Sequence, residues 1–351
     1  MPFPTEITGP ALSLATAALW AVSPVFMASA GRKVGAFPVL LIRSLLASVL
    51  LAAMVGGLAL LSPTPPAFPD LRQAGWIALS GFVGVGVGDI LIYEAFVALG
   101  PRRTTQTLVL APAVTVLVAW TSLGEELTVT KLVGVGVTLA ATSYAVFAGN
   151  RKPSARDEDV VAGGESGDVE VVTAARTDDA PKPIPYAGPA TPPPSVRQEP
   201  GRVTPLSVAY AVAGAVCMAV GAVMARHAFR LRPDAPPDAL PMTLVRVAAA
   251  SAFLWLIPLA RGRARGVLAL MRDRWIMARV GAGTMMGPIV GMLCYVGALK
   301  AAPAGLVSTL VATSPLFAIP VTVLRYRVRI GWGVILAACA ATGGVALIFL
   351  A

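Results

Sequence analysis

Residues 76–88 read WIALSGFVGVGVG, and residues 275–287 read WIMARVGAGTMMG. Trp76, Gly84 and Gly88 of the first stretch return as Trp275, Gly283 and Gly287 of the second, all at an offset of 199. Two more pairs recur at an offset of 203: Arg43 with Arg246 ahead of these stretches, and Pro112 with Pro315 after them. A strongly apolar chain that repeats itself in this way reads as an internally duplicated membrane protein.

Composition places the chain in lipid. Of 351 residues, 56% are hydrophobic and 13% charged, against roughly 45–50% apolar and about 25% charged in a soluble domain. The net charge of +10 does not point to nucleic acid, because the basic residues sit in short clusters between apolar runs and no groove-reading motif is present. Cys217, Cys294 and Cys339 each lie inside an apolar run, no CxxC occurs, and His227 is the single histidine. That pattern gives no metal site, disulfide framework or cofactor.

Runs of about 20 apolar residues, enough to cross roughly 30 Å of hydrocarbon, fall at Pro10 to Ala30, Phe37 to Leu61, Ala74 to Leu99, Thr104 to Leu123 and Leu132 to Gly149. The second half offers Pro205 to Ala225, Ala239 to Ala260, Trp275 to Leu299, Pro303 to Leu324 and Ile330 to Ala351. The expected fold is an all-α integral membrane protein of ten transmembrane helices. Five spans per copy is an odd number, so the two five-helix repeats, 1–150 and 205–351, are expected to stand in opposite orientations. Between them, 151–204 is rich in Asp, Glu and Pro and poor in large apolar side chains, the composition of a disordered tether. No Lys or Arg precedes the first run, so it is expected to remain as a helix rather than be cleaved.

Basic residues in the short loops set the orientation. One set of alternate loops carries twelve Lys and Arg, among them Arg32, Lys33, Arg102, Arg103, Arg261 and Arg325, and the opposite set carries six. The richer side is expected to be cytoplasmic, with the tether inside and both termini outside.

Charges inside a membrane span cost about 2.5 kcal/mol or more at the helix centre, so those that remain are candidates for function. Asp89 lies past the middle of its span. Tyr93, four residues on, falls on nearly the same face, so the two could hold a cationic or polar molecule together. Asp89 could instead take up a coupling proton, or serve as a structural carboxyl bonded to a neighbouring helix. Glu94 is about 140° round the helix from Asp89, at a depth that matches Arg43, and an Arg43–Glu94 ion pair is expected. Arg246 has no such acid. It is left to contact a carboxylate or phosphate of the cargo, or to reach lipid headgroups. Gly84, Gly88, Gly283, Gly287 and Gly291 form GxxxG spacings that let helix backbones approach. Pro24, Pro112 and Pro315 interrupt spans and are candidate hinges. Ser23 and Ser314 lie beside these breaks and are candidate cavity-lining groups, and Trp20 and Tyr295 are candidates for either the cavity or the lipid interface.

Gly86-Val87-Gly88-Asp89 also spells GxGD, a pattern found around a catalytic aspartate of intramembrane proteases. That chemistry needs two carboxyls sharing a proton, and the other aspartates lie in loops, in the tether or at helix starts, so no enzyme is expected. A channel or a non-transporting scaffold is the remaining alternative. A channel would show a filter signature or a ring of charges, and neither is seen.

The order of LWAVSPVF at 19–26, Arg43 early in the second span, LGP at 99–101, LAPAVTVLVAW at 110–120 and GEELT at 124–128 resembles the EamA-type members of the drug/metabolite transporter superfamily. The resemblance covers both halves. It implies a multi-pass protein of the plasma (inner) membrane that exports or exchanges a small metabolite, amino acid or drug by alternating access, without ATP and with protons as a candidate coupling ion. The family's GE after the fourth helix matches Gly124 and Glu125. The corresponding stretch of the second half, LRYRVRI at 324–330, has no glutamate.

Overall fold

A computed structural model describes residues 5–108, 110–125, 128–148, 204–317 and 332–350. Of the tether, residues 151–203 lie outside the described residues, as do Arg325 to Arg329. Every regular element is helical: α1 (Thr5–Val34), α2 (Ala36–Leu61), α3 (Leu71–Ser80), α4 (Gly88–Leu108), α5 (Leu110–Leu123), α6 (Val129–Ala148), α7 (Pro205–Arg230), α8 (Ala239–Ala260), α9 (Ala264–Leu270), α10 (Arg274–Thr284), α11 (Met292–Ala301), α12 (Ala304–Val311) and α13 (Trp332–Leu350). The third span of each half is one continuous rod with a π-helical stretch in its middle. Gly81–Val87 joins α3 to α4, and Met285–Gly291 joins α10 to α11.

Six helical runs among the described residues are long and apolar enough to cross a membrane. They are Ile7–Gly31, Ala36–Leu61 and Leu71–Ala95 in the first half, and Pro205–Arg230, Ala239–Ala260 and Arg274–Ala301 in the second. The protein is therefore a multi-pass membrane protein. The third span, read as ending at Leu99, continues through Pro101 to Leu108 in α4, because a proline removes only one helical hydrogen bond. Pro112 is buried near the described start of α5. In the second half α12 stops at Val311, and a turn at Ala312 and Thr313 precedes Pro315, whose ring disfavours helical backbone just before it.

Local signals set the ends. Asp70 begins α3 with a capping box to Gln73, and Asp273 caps α10 through the N–H groups of Trp275 and Ile276. Gly35 turns the chain between α1 and α2 at φ 87°, a conformation glycine adopts without penalty.

The two halves exchange their first helices. α1 packs along the third rod of the second half, and α7 along the third rod of the first. Both contacts run antiparallel. Gly84 lies against Gly221 and Gly88 against Cys217, while Ser23 lies against Gly283 and Gly287 and Trp20 against Gly291. Equivalent helices also pair antiparallel: Trp255 Nε1 donates to the Leu41 carbonyl at 3.1 Å and Ser251 Oγ to Ser44 Oγ at 3.3 Å, joining α8 to α2. In α6 and α13, Gly344 faces Thr138 and Gly333 faces Tyr144, the same antiparallel sense.

These contacts correct the offset of 199. Asp70 and Asp273 cap equivalent rods 203 apart. Gly221 touches Gly84 and Ser80 just as Ser23 touches Gly287 and Gly283. Gly84 therefore corresponds to Gly287 and Gly88 to Gly291, in step with Arg43 and Arg246. Trp76 and Trp275 match by coincidence, since a GxxxG run looks the same when slipped by four residues, which is one helical turn.

Candidate functional site

A cavity of about 240 Å³ lies where the two halves meet. Its lining follows the corrected correspondence pair by pair: Arg43 with Arg246, Ser44 with Val247, Gly84 with Gly287, Val85 with Pro288, and Asp89 with Met292 all face it. Trp20 of α1 and Met218 of α7, equivalent by their contacts with Gly291 and Gly88, line it as well. The backbone makes room for this. A methyl on Gly81 would run into the Arg246 carbonyl, and one on Gly221 would come within 2.6 Å of the Gly84 Cα. Only glycine allows the first-half rod to approach α7 and α8 this closely, and the π-helical stretch of that rod sits at this point, the kind of irregularity common at functional sites.

The expected Arg43–Glu94 pair is not formed. Arg43 Nη2 donates to Asp89 Oδ2 at 2.5 Å. The reason is depth. The Tyr93 hydroxyl already meets the backbone amides of Ala36 and Phe37 at the start of α2, so α4 protrudes well past that level. Glu94, five residues or about 7.5 Å further out and about 140° round the helix, is turned away from Arg43, and Asp89 meets it. Tyr93 is separated from the cavity for the same reason, because four residues advance a helix by about 6 Å.

The other expected residues divide. Trp20, Ser23, Pro24, Arg246 and Tyr295 line the cavity. Ser23 Oγ donates to the Gly283 carbonyl at 2.9 Å, and the Trp20 and Tyr295 rings lie 5.3 Å apart. Ser314 is spent elsewhere, donating to the Ala17 carbonyl at 2.9 Å. The glycines do pack helices, Gly84 and Gly88 on α7 and Gly283, Gly287 and Gly291 on α1.

Arg246 is 3% exposed. Its guanidinium lies 5.4 Å from the Tyr295 ring centre and bonds the Tyr295 hydroxyl, which also bonds Ser308. Its Nε and Nη1 have no hydrogen-bond partner among the described residues. The Arg43 and Asp89 side chains are 29% and 24% exposed, whereas Arg246 is closed in.

Family models of known proteins match the chain twice, over residues 7–147 and 205–350, with the EamA-like transporter family. The chain belongs to that family. No curated protein sequence matches it. One solved structure, titled only as a crystal structure of a protein, aligns with a TM-score of 0.64 at 16% identity, covering 97% of this chain and 98% of that one. At that identity the likeness speaks for the fold alone.

Glu125, the glutamate of the GE stretch, has a structural post between the halves. It is buried, and both carboxylate oxygens accept from the Ala304 N–H, at 3.1 and 3.0 Å. That places a negative charge on the N-terminus of α12, where the helix dipole favours it. Arg226 stands 3.6 Å away and donates to the Leu299 and Lys300 carbonyls at the end of α11. Nearby, Arg230 donates to the Leu123 carbonyl, and Asp238 exchanges two hydrogen bonds with Ala67. These bonds join the halves across one end of the bundle. Sequence reading named the GE motif without this role, because a cap supplied from 179 residues away leaves no local signal.

Proposed function

We propose that the protein is a secondary carrier of the plasma (inner) membrane that exports or exchanges a small polar metabolite, amino acid or drug by alternating access, through ten spans in two inverted repeats. The observation that carries this reading is the chamber itself, lined by matching residues of both halves and holding an ion pair. Antiparallel pairing of α2 with α8 and of α6 with α13 supports the inversion, since an axis in the membrane plane reverses every helix it relates. With the arginine-rich loops inside, the Glu125–Arg226 end faces outward and the chamber faces the cytoplasm. Rocking of one half against the other would have to break those bonds to release cargo outside. Asp89 is the group through which protons couple: protonating it removes the charge that holds Arg43, and the pair opens. No step requires ATP or a cofactor.

The test is flux in proteoliposomes loaded with a ¹⁴C-labelled mixture of amino acids and small organic acids, with and without an imposed proton gradient. Saturable, gradient-dependent flux is expected, and Asp89→Asn should lose the gradient dependence while inserting normally. Unsaturable flux would make the protein a channel, and no flux for any compound would make it a scaffold.

A further inference from the structure

The chamber pairs its residues across the two halves, and one pair breaks the chemistry. Asp89 answers Arg43, while the place from which an acid would answer Arg246 holds Met292. Both members of each pair line the same space, so the difference is one of charge and not of position. The chamber wall then carries two guanidinium groups and one carboxylate. The uncompensated charge is on the more deeply buried arginine, with two nitrogens lacking hydrogen-bond partners among the described residues. A charge kept in such a place without a partner is costly. Tyr295 offers only a ring face and a neutral hydroxyl, and among the described residues the five ion pairs leave Arg246 out.

We infer that Arg246 is the anchor for an anionic group on the cargo, and that the transported compound is a small organic anion, bearing a carboxylate or a phosphate, with its apolar body against Trp20, Met218, Val247 and Met292. This rests on the carrier reading, in which the chamber is where cargo sits. The anion completes the second half as Asp89 completes the first. The guanidinium donates N–H groups to its oxygens, a charge-assisted contact strengthened by exclusion of water. The volume of about 240 Å³ admits one small metabolite and no polymer. Selectivity follows from charge: a cation entering this chamber meets a surplus positive charge, and a neutral isostere leaves that charge unanswered.

The experiment uses the full-length protein in a neutral maltoside detergent, with benzoate and phenylphosphonate as anionic probes and benzamide and benzylamine as their neutral and cationic counterparts. Thermal shift and titration should show that one or both anions stabilise the protein and that the other two do not. Arg246→Gln should weaken anion binding by about tenfold or more, and Arg246→Lys should retain part of it. Met292→Asp, which gives the second half the acid of the first, should abolish it. Equal stabilisation by benzamide, or an anion shift that survives Arg246→Gln and Met292→Asp, overturns the inference. Displacement of benzoate by added phosphatidylglycerol makes the occupant a lipid headgroup and also overturns it. Flux of ¹⁴C-benzoate in proteoliposomes separates this from the carrier reading. Arg246-dependent binding with no flux sinks the carrier and leaves the anion site, while undiminished benzoate flux in Arg246→Gln sinks the anion site and leaves the carrier.

Discussion

Arg43 and Arg246 stand at equivalent places in the two halves, 203 residues apart, and face one chamber. The first is held by Asp89 and is 29% exposed in its side chain; the second is 3% exposed and faces Met292 instead of an acid. Duplication supplies two copies of every feature, and function then needs the copies to differ. The ion-paired half resembles a finished structure, and the unpaired half resembles a structure waiting for a ligand. The difference is measurable as stability with opposite signs on the two sides.

The largest effect should come from the paired side. Arg43→Met leaves Asp89 in the chamber without its counter-ion, which should destabilise the protein by about 3 kcal/mol, as for a broken buried pair. Adding Asp89→Leu to that variant should restore most of the loss. Thermal unfolding of the single and double variants gives the cycle, and an Arg43→Met protein as stable as wild type would break the comparison at its first step.

Helix packing gives the next contrast. Gly221 and Ser23 are equivalent, but the first touches Gly84 backbone to backbone, whereas the second spaces its helix from Gly283 and Gly287 by a side chain. Gly221→Ala puts a methyl 2.6 Å from the Gly84 Cα, and the resulting overpacking should cost about 2 kcal/mol. Ser23→Gly removes a single hydrogen bond to Gly283 and should cost about 1 kcal/mol. Similar losses from both would mean that the halves are more alike in packing than these contacts imply.

On the unpaired side the sign reverses. Arg246→Met replaces a buried, unanswered charge by an apolar side chain of similar length and should stabilise the protein by about 1 kcal/mol, while removing anion binding. A variant that gains stability and loses its ligand is the signature of a site kept for function at the expense of the fold. Loss of stability on Arg246→Met would instead make Arg246 a structural residue held by Tyr295.

How much of this was legible in the sequence follows the same physics. Hydropathy located the first three spans of each half, because lipid demands about 20 apolar residues in a row. It placed the end of the third span too early, at Leu99 instead of Leu108, since Gly100 and Pro101 weaken a helix without fixing where it ends. The duplication was legible, but its step through the glycines was not, because small residues every four positions match themselves when shifted by a turn. Arg43, Asp89 and Arg246 stood out as charges among apolar residues. Their partners did not, because partner choice depends on how far α4 rises past the start of α2, which Tyr93 reveals only through its bond to Ala36 and Phe37. Met292, the residue that gives the second half its character, carries no signal of its own. It acquires meaning only when set beside Asp89.

The smallest contrast lies outside the membrane, at the two capping aspartates. Asp70 has Arg232 at 3.7 Å, whereas Asp273 accepts a 2.7 Å hydrogen bond from Lys33 at the end of α1. That bond, with the N–H groups of Ile276 and Trp275, holds the Asp273 carboxyl below the usual carboxylate range. A carboxyl depressed in the folded state contributes stability that is fully present above its unfolded value, near 3.9, and is lost as pH falls through the folded value. Wild type should therefore lose stability on acidification more steeply than Lys33→Gln in that window. The difference should shrink in high salt, because both groups are exposed and ions screen them. Identical acid slopes for the two proteins would show that the caps, unlike the chamber arginines, do not distinguish the two halves.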